Sequence, residues 1–246
     1  MREASIVTGP MRSGTSCVTG LLEMCGFDLG RNVRILRNPT PMNPRGHFEP
    51  DLLFTIDERL LTEAAPFWGI FSPPPRDEIM ALAAKRQNYF RIFLKEFDGE
   101  LCKDPLLCLT LAAWREAWPE LRRAVFCLRH PAEVSVSMSK RYGTDFSEGL
   151  SIWSCYSRAF IENSAGMDAY IFDFNRFLRE PLDTFSELLD WFGRPADSET
   201  LRHNIASFWS EPATTLSPDS EPAALPDDVR KLYSELLELS GPRLGN

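Results

Sequence analysis

The chain has 246 residues, 43% of them hydrophobic, which is enough for one large domain with its own core and does not require a second domain. Its formal net charge of −8 argues against general binding to nucleic acid or to anionic membranes. No apolar run is long enough to cross a bilayer, and no signal peptide precedes the first predicted strand, so we expect a cytoplasmic protein without a transmembrane segment.

The six cysteines are scattered along the chain and never form a CxxC pair. Most lie in apolar contexts, which is typical of reduced thiols in the core of a cytoplasmic protein. The three histidines, His47, His130 and His203, lie far in sequence from any pair of cysteines. We therefore predict reduced thiols and no metal site.

The chain begins with a strand, a glycine-rich turn and a helix, the order typical of a phosphate-binding loop. Residues 5–8 read Ser-Ile-Val-Thr, and an apolar-periodic segment follows the turn. Gly9 and Gly14 permit backbone conformations that a Cβ would forbid, so that successive N–H groups can face an anion. The helix adds its own unpaired N–H groups and the positive end of its dipole. We predict that phosphate is bound by the loop residues Pro10, Met11, Arg12, Ser13, Gly14, Thr15 and Ser16.

This loop differs from the loop of nucleoside-triphosphate enzymes, which reads GxxxxGK[ST]. Gly9 and Gly14 have that spacing, but Thr15 stands where the lysine would be, and the cation, Arg12, lies inside the loop. The composition favours a phosphate-bearing donor that needs no metal ion between two terminal phosphates. The alternative interpretation is an ordinary glycine turn before a helix.

Residues 31–50 are predicted to be irregular, because their prolines interrupt both helix and strand. Long loops in compact domains are more often functional than idle. This loop brings three arginines, Arg31, Arg34 and Arg37, and then His47 and Glu49 close in sequence to the phosphate loop. We favour a loop that faces the substrate over a solvated basic loop.

A helical excursion follows, with helices predicted over 51–64 and 77–97 and a proline-rich insertion between them. Trp68 and Phe71 in that insertion suggest an apolar wall for the acceptor, whereas the three arginines suggest an anionic group. Residues 101–105 read as a short strand that ends at Pro105, which places Lys103 and Asp104 at the sheet edge where ligands bind.

The second motif is a buried parallel strand over 124–128, followed by Arg129 at its carboxyl end. Pro131 is suited to the first turn of the next helix, and Ser137, two turns along, can face the same side as Arg129. A guanidinium and a hydroxyl at one point suit a phosphate monoester, while a structural salt bridge is the alternative role for Arg129. Lys140 and Arg141 complement the carboxyl end of this helix and receive no role in the site.

The remaining residues predict further helices and one more buried strand, over 169–174. Helices are expected over 148–164, with Trp153 and Tyr156 in the core, and over 182–192, 198–208 and 227–239, with a mobile linker at 211–226. The fold class that follows is α/β: one P-loop-like three-layer domain over 1–246, with a central parallel sheet flanked by helices, a helical insertion and carboxyl-terminal helices.

The two motifs together resemble the sulfotransferase superfamily, and more narrowly its bacterial members with an Arg-Ser-Gly-Thr loop. The resemblance covers nearly all of residues 4–195 and includes the segments Asn43–Glu49 and Lys103–Pro105. It implies the donor 3′-phosphoadenosine 5′-phosphosulfate (PAPS), with the loop 9–16 on the 5′-phosphosulfate and Arg129 with Ser137 on the 3′-phosphate. The product would be adenosine 3′,5′-bisphosphate, released by metal-independent transfer.

For such a transfer, Arg12 and the loop N–H groups would stabilise the developing charge, and Lys103 would support the transferring group. A general base must take the proton of the acceptor hydroxyl or amine, and the candidates are Glu49, which we prefer, and His47. The chain departs from the cytosolic small-molecule branch, which has Lys in the first loop and a basic Arg-Lys-Gly segment near the carboxyl end. The acceptor class stays open among small molecules, carbohydrates and lipids, and nucleic acid is not an expected partner. The other functions considered are a P-loop kinase-like enzyme and a non-catalytic nucleotide-binding protein.

Overall fold

The computed structural model describes residues 3–39, 43, 45–64, 72–208 and 225–243. The strands of these residues are β1 (Ala4–Thr8), β2 (Ile35–Leu36), β3 (Glu49–Pro50), β4 (Leu101–Lys103), β5 (Leu121–Leu128), β6 (Asp168–Asp173) and β7 (Gly241–Arg243). The helices are α1 (Thr15–Met24), α2 (Asp51–Ala64), α3 (Arg76–Lys85), α4 (Gln87–Glu96), α5 (Leu107–Ala117), α6 (Pro131–Tyr142), α7 (Phe146–Asn163), α8 (Phe174–Arg179), α9 (Pro181–Trp191), α10 (Ser198–Phe208) and α11 (Asp227–Glu238).

A five-stranded sheet in the order β4-β1-β5-β6-β7 forms the centre of the molecule. The first four strands are parallel, with Ile6 of β1 opposite Cys102 of β4 and Ala124 of β5. The edge strand β7 runs antiparallel to β6 and pairs Gly241 with Ile171. The sheet is therefore mostly parallel, and the carboxyl ends of β1, β4 and β5 meet at one edge, which carries the candidate site.

Both faces of the sheet are buried, and alternate residues of each strand face opposite sides. Ile6, Phe126 and Ile171 pack against the helices α2–α7 and α11. Their neighbours in sequence belong to a second cluster, which packs against α1 and α8–α10 and includes Val7, Val125 and Phe172. These two helical layers around one sheet are the three-layer α/β architecture predicted from the sequence.

Most predicted elements are confirmed: α2 and α10 have the predicted bounds, and Trp153 and Tyr156 are fully buried. The single helix expected over 77–97 is wrong, because Arg86 interrupts it with φ −110° and separates α3 from α4. Residues 31–50 are not wholly irregular, since β2 and β3 pair within them. The short α8 and the strand β7 were not predicted.

Parts of two predicted segments lie outside the described residues: Trp68 and Phe71 of the insertion, and 211–224 of the linker. In the described ranges, no helix combines the length and the hydropathy needed to span a bilayer.

Candidate active site

The phosphate loop joins β1 to α1 and adopts a conformation that requires its glycines. Gly9 has φ 150° and Gly14 has φ 94°, both in the region that L-residues rarely occupy. A Cβ on Gly9 would lie 2.7 Å from the carbonyl oxygen of Cys127, and a Cβ on Gly14 would overlap the ring of Phe174. Arg12 also has a positive φ, of 71°, and such strain at a non-glycine residue is characteristic of functional loops.

Several N–H groups at the start of α1 are available to a ligand. In the described part of the chain, the backbone N–H groups of Gly14, Thr15 and Ser16 have no hydrogen-bond acceptor. Ser13 behaves differently, because both its backbone N–H and its hydroxyl donate to the carbonyl oxygen of Pro10 and close the turn. The loop therefore offers backbone donors at a helix N-terminus, the geometry suited to an anion.

Arg12, Arg129 and Ser137, predicted to bind phosphate, lie together at the carboxyl edge of the sheet. The Nε of Arg12 donates to the hydroxyl of Ser137 at 2.9 Å, and Nη1 of Arg129 donates to the carbonyl oxygen of Arg12 at 3.2 Å. Burial lowers the pKa of the Arg12 guanidinium, and the positive charge of Arg129 acts in the same direction. The two sequence motifs thus form one cationic corner.

Arg129 also forms the salt bridge that was considered as its alternative role. Its Nε lies 2.8 Å from Oε2 of Glu133, and both side chains are largely buried. Asn175 of α8 donates to the other carboxylate oxygen of Glu133 at 2.8 Å. Glu133 and Asn175 are not among the site residues predicted from the sequence, although the spacing of four residues between Arg129 and Glu133 indicates a pair on one face of a helix. The pair and its amide partner hold the guanidinium in place beside the loop.

Lys103, at the end of β4, is the centre of a second cluster, on the other side of the phosphate loop from Arg129, because β4 and β5 flank β1. Its side chain is 2% exposed, and its Nζ lies 2.5 Å from Oε1 of Glu49. The same ammonium donates to the carbonyl oxygen of His47 at 3.1 Å and to the hydroxyl of Ser16 at 3.3 Å. Asn43, which the sequence analysis did not single out, donates to Ser16 at 3.1 Å. Lys103 therefore joins the two predicted base candidates to the phosphate loop.

His47 lies on the turn that leads into β3 and is half-buried. Burial lowers the pKa of its imidazole, and the cations Lys103, Arg141 and Arg12 also lower it, while the charge of Glu49 opposes them. A lowered pKa keeps the imidazole neutral at pH 7 and able to accept a proton. The next residue, Phe48, has φ 61°, so the turn is strained beside both candidate bases.

Arg31, Arg34 and Arg37, three of the four arginines in residues 31–50, do not cluster together. Arg34 lies 3.6 Å from Asp51, and Arg37 pairs with Glu23 of α1. Arg31 lines a cavity of about 740 Å³ beside Ser5 and Glu100, at the opposite, amino-terminal edge of the sheet. The guanidinium of Arg37 also lies 5.3 Å from the centre of the ring of Phe48, the residue between the two candidate bases.

Two buried carboxyl groups belong to Asp104, which follows Lys103 in the sequence, and to Asp57 of α2. Burial raises the pKa of Asp104 well above its ordinary value, and the charges of Asp57 and Glu49 raise it further. Burial also raises the pKa of Asp57 to about 7, although the indole of Trp114 donates to its Oδ1 at 2.7 Å. The backbone carbonyl of Asp104 accepts from Thr8, which ties β4 to the start of the phosphate loop.

No sequence-family model and no curated protein matches this chain. Solved structures do match over nearly its whole length. A sulfotransferase domain from the curacin biosynthetic pathway is 14% identical with a TM-score of 0.55, and the match covers 96% of this chain and 98% of that domain. A sulfotransferase domain from the olefin synthase of Synechococcus PCC 7002 is 15% identical with a TM-score of 0.54, and the match covers 96% and 94% of the two chains. The chain therefore has the sulfotransferase fold.

Proposed function

We propose that the protein is a PAPS-dependent sulfotransferase that moves a sulfuryl group to a hydroxyl or amine of a small-molecule, carbohydrate or lipid acceptor. The observation that carries this proposal is the position of two polar clusters on either side of one glycine-rich loop. Arg12 contacts Ser137 on one side, and Ser16 accepts a hydrogen bond from Lys103 on the other. A bisphosphate nucleotide and a reacting group would each find cationic donors there.

The residues present fit the chemistry of such a donor. Backbone N–H groups at Gly14, Thr15 and Ser16 suit the 5′-phosphosulfate, because they are fixed donors at the positive end of a helix dipole. Arg129 and Ser137 suit the 3′-phosphate, since a planar guanidinium can bind two phosphate oxygens at once. A site of this kind would act through position and charge rather than through a covalent enzyme intermediate.

Glu49 is our preferred general base. When PAPS is bound, the acceptor oxygen would bond to sulfur as the bond from sulfur to the 5′-phosphate oxygen breaks, and adenosine 3′,5′-bisphosphate would leave. Glu49 would take the acceptor proton, and Lys103, beside that carboxylate, would offset the negative charge on the transferring group. His47 is the second candidate for the base, because its lowered pKa favours a neutral imidazole.

The first experiment is calorimetric titration of the protein with adenosine 3′,5′-bisphosphate in EDTA, beside ATP with Mg²⁺. We expect tight metal-free binding of the bisphosphate and weak binding of ATP. Metal-dependent ATP binding without bisphosphate binding would instead indicate a kinase-like enzyme and refute the proposal. Turnover is then measured as bisphosphate released from PAPS across an acceptor panel, and retained donor binding with no turnover would favour a non-catalytic binding protein.

A substitution at Arg129 tests the assignment of the 3′-phosphate. Arg129→Ala should weaken adenosine 3′,5′-bisphosphate by about 10- to 100-fold while adenosine 5′-phosphate is little affected, because a charge-assisted bidentate contact contributes about 1.5–3 kcal/mol. Since Arg129 also pairs with the partly buried Glu133, Arg129→Lys serves as a second variant that keeps the charge but loses the bidentate fork. Equal losses for both nucleotides would contradict the assignment.

A further inference from the structure

Helix α6 carries three polar residues spaced four apart in one row along one side. Glu133, Ser137 and Arg141 are spaced four residues apart, so they lie along one side of the helix. Glu133 pairs with Arg129, and Ser137 accepts from Arg12. Arg141 is the next member of the row, in the last turn of α6. The first two members already contact cationic residues of the proposed donor site.

The charge of Arg141 acts on both polar clusters. Burial lowers the pKa of Arg12; Tyr142 opposes this effect, and the guanidinium groups of Arg129 and Arg141 lower the pKa further. Burial likewise lowers the pKa of His47, where Lys103 and Arg141 act in the same direction. Arg141 therefore lies close enough to influence the loop on one side and the turn with the candidate bases on the other.

Three guanidinium groups near one loop repel one another, and an anion between them removes that repulsion. Arg129 is buried and Arg12 is half-buried, whereas Arg141 is exposed and carries a long side chain that can reach a ligand. The guanidinium of Arg141 lies 5.9 Å from the centre of the Tyr142 ring.

We propose that Arg141 is a further donor-binding residue, which contacts the anionic group at the 5′ end of the nucleotide while Arg129 contacts the 3′-phosphate. That group is a phosphate in the product and a phosphosulfate in the donor. This inference rests on the proposed function. It assigns the two charged ends of one nucleotide to two different arginines, Arg129 just before α6 and Arg141 in the last turn of that helix.

The test compares two nucleotides that share a 5′-phosphate and differ at the 3′ position. Calorimetry with adenosine 3′,5′-bisphosphate and with adenosine 5′-phosphate, the weaker ligand measured by displacement, is carried out on wild type, Arg141→Ala and Arg129→Lys. Lys140→Ala is the matched control, because it removes the same charge from the adjacent residue, about 100° around the helix.

Arg141→Ala should weaken both nucleotides by the same factor, about five- to tenfold, while Arg129→Lys weakens chiefly the bisphosphate. Lys140→Ala should change neither affinity by more than about twofold. Unchanged affinities in Arg141→Ala, or a loss confined to the bisphosphate, would overturn the role of Arg141 and leave the proposed function intact. If wild type binds no bisphosphate, the proposed function and this inference both fail. Circular dichroism confirms that the exposed substitutions leave the fold unchanged.

Discussion

The buried pair of Lys103 and Glu49 makes a strong prediction about stability. Lys103→Met keeps a side chain of similar length but removes the ammonium, which leaves the Glu49 carboxylate without its cation. The side chain of Lys103 is 2% exposed and that of Glu49 is 11% exposed, so water cannot fully replace the lost partner. Breaking a buried pair from one side costs about 3–5 kcal/mol. Because Glu49 keeps a little solvent contact, we expect about 3 kcal/mol, together with lost hydrogen bonds to Ser16 and to the carbonyl of His47.

The measurement is urea unfolding followed by tryptophan fluorescence, for which the chain has six tryptophans. Thermal unfolding gives a second measurement. In a protein of this size a loss of about 1 kcal/mol in stability lowers the melting temperature by about 2–4 °C, so a loss near 3 kcal/mol should lower it by about 6–12 °C. Lys85→Met is the matched control, since Lys85 is exposed in the last turn of α3 and its substitution should change stability by about 0.5 kcal/mol or less.

A double-mutant cycle separates the pair from general effects of substitution. Glu49→Gln alone leaves a buried ammonium unpaired, while the double variant Lys103→Met/Glu49→Gln leaves no unpaired charge. The double variant should therefore be less destabilised than the sum of the two single variants, by about 2 kcal/mol. Additive losses of the free energy of unfolding in the double variant would refute the reasoning. So would a Lys103→Met variant whose free energy of unfolding lies within about 1 kcal/mol of the wild-type value.

Two further predictions concern the bases and a buried acid. Glu49→Gln should lower turnover from PAPS by about 100-fold or more with nucleotide affinity nearly unchanged, because a general base contributes about 10²- to 10⁴-fold to the rate. A larger loss of turnover in His47→Asn than in Glu49→Gln would instead make His47 the base. Burial raises the pKa of Asp57 from its ordinary value of 3.8 to about 7, so the native state holds a proton that the unfolded chain releases, and stability should fall as pH rises from about 4 through 7. Asp57→Asn keeps an oxygen that can accept from the Trp114 indole. Urea unfolding of the variant and of wild type, at pH 4 and at pH 8.5, should show that the stability of the variant relative to wild type is greater at pH 8.5. An equal difference at both pH values would contradict the raised pKa of Asp57.

The local part of the phosphate site was predictable from sequence because its conformation depends on neighbouring residues. Gly9 and Gly14 occupy positive φ, and Pro131 begins α6 as expected. The alternation of Ile6 and Val7 between two cores follows from the period of a strand. The predicted bounds of α2 and α10 are confirmed, because the spacing of apolar residues within each segment is that of an amphipathic helix.

Other features could not be predicted, because they depend on contacts between distant segments. The apolar pattern of 77–97 continues through Arg86, but the backbone leaves helical geometry there, with φ −110° and ψ 31°, and divides the helix into α3 and α4. The edge strand β7 is three residues long and exists through pairing with β6, which precedes it by almost seventy residues. The prediction that Trp68 and Phe71 form an apolar wall for the acceptor concerns residues outside the described part of the chain, and it stays a prediction.

By itself the sequence determined the glycine-dependent loop, the buried parallel strands and the candidate residues Arg12, Arg129 and Ser137. Only the tertiary structure decided that Lys103 pairs with Glu49, 54 residues away, and that Arg129 holds Glu133 while donating to Arg12. Backbone preferences act over a few residues, so they depend on the residue types that are neighbours in the sequence. Contacts between charged side chains depend on which strand ends meet at one edge of the sheet, and that follows from the order in which β4, β1 and β5 pack side by side.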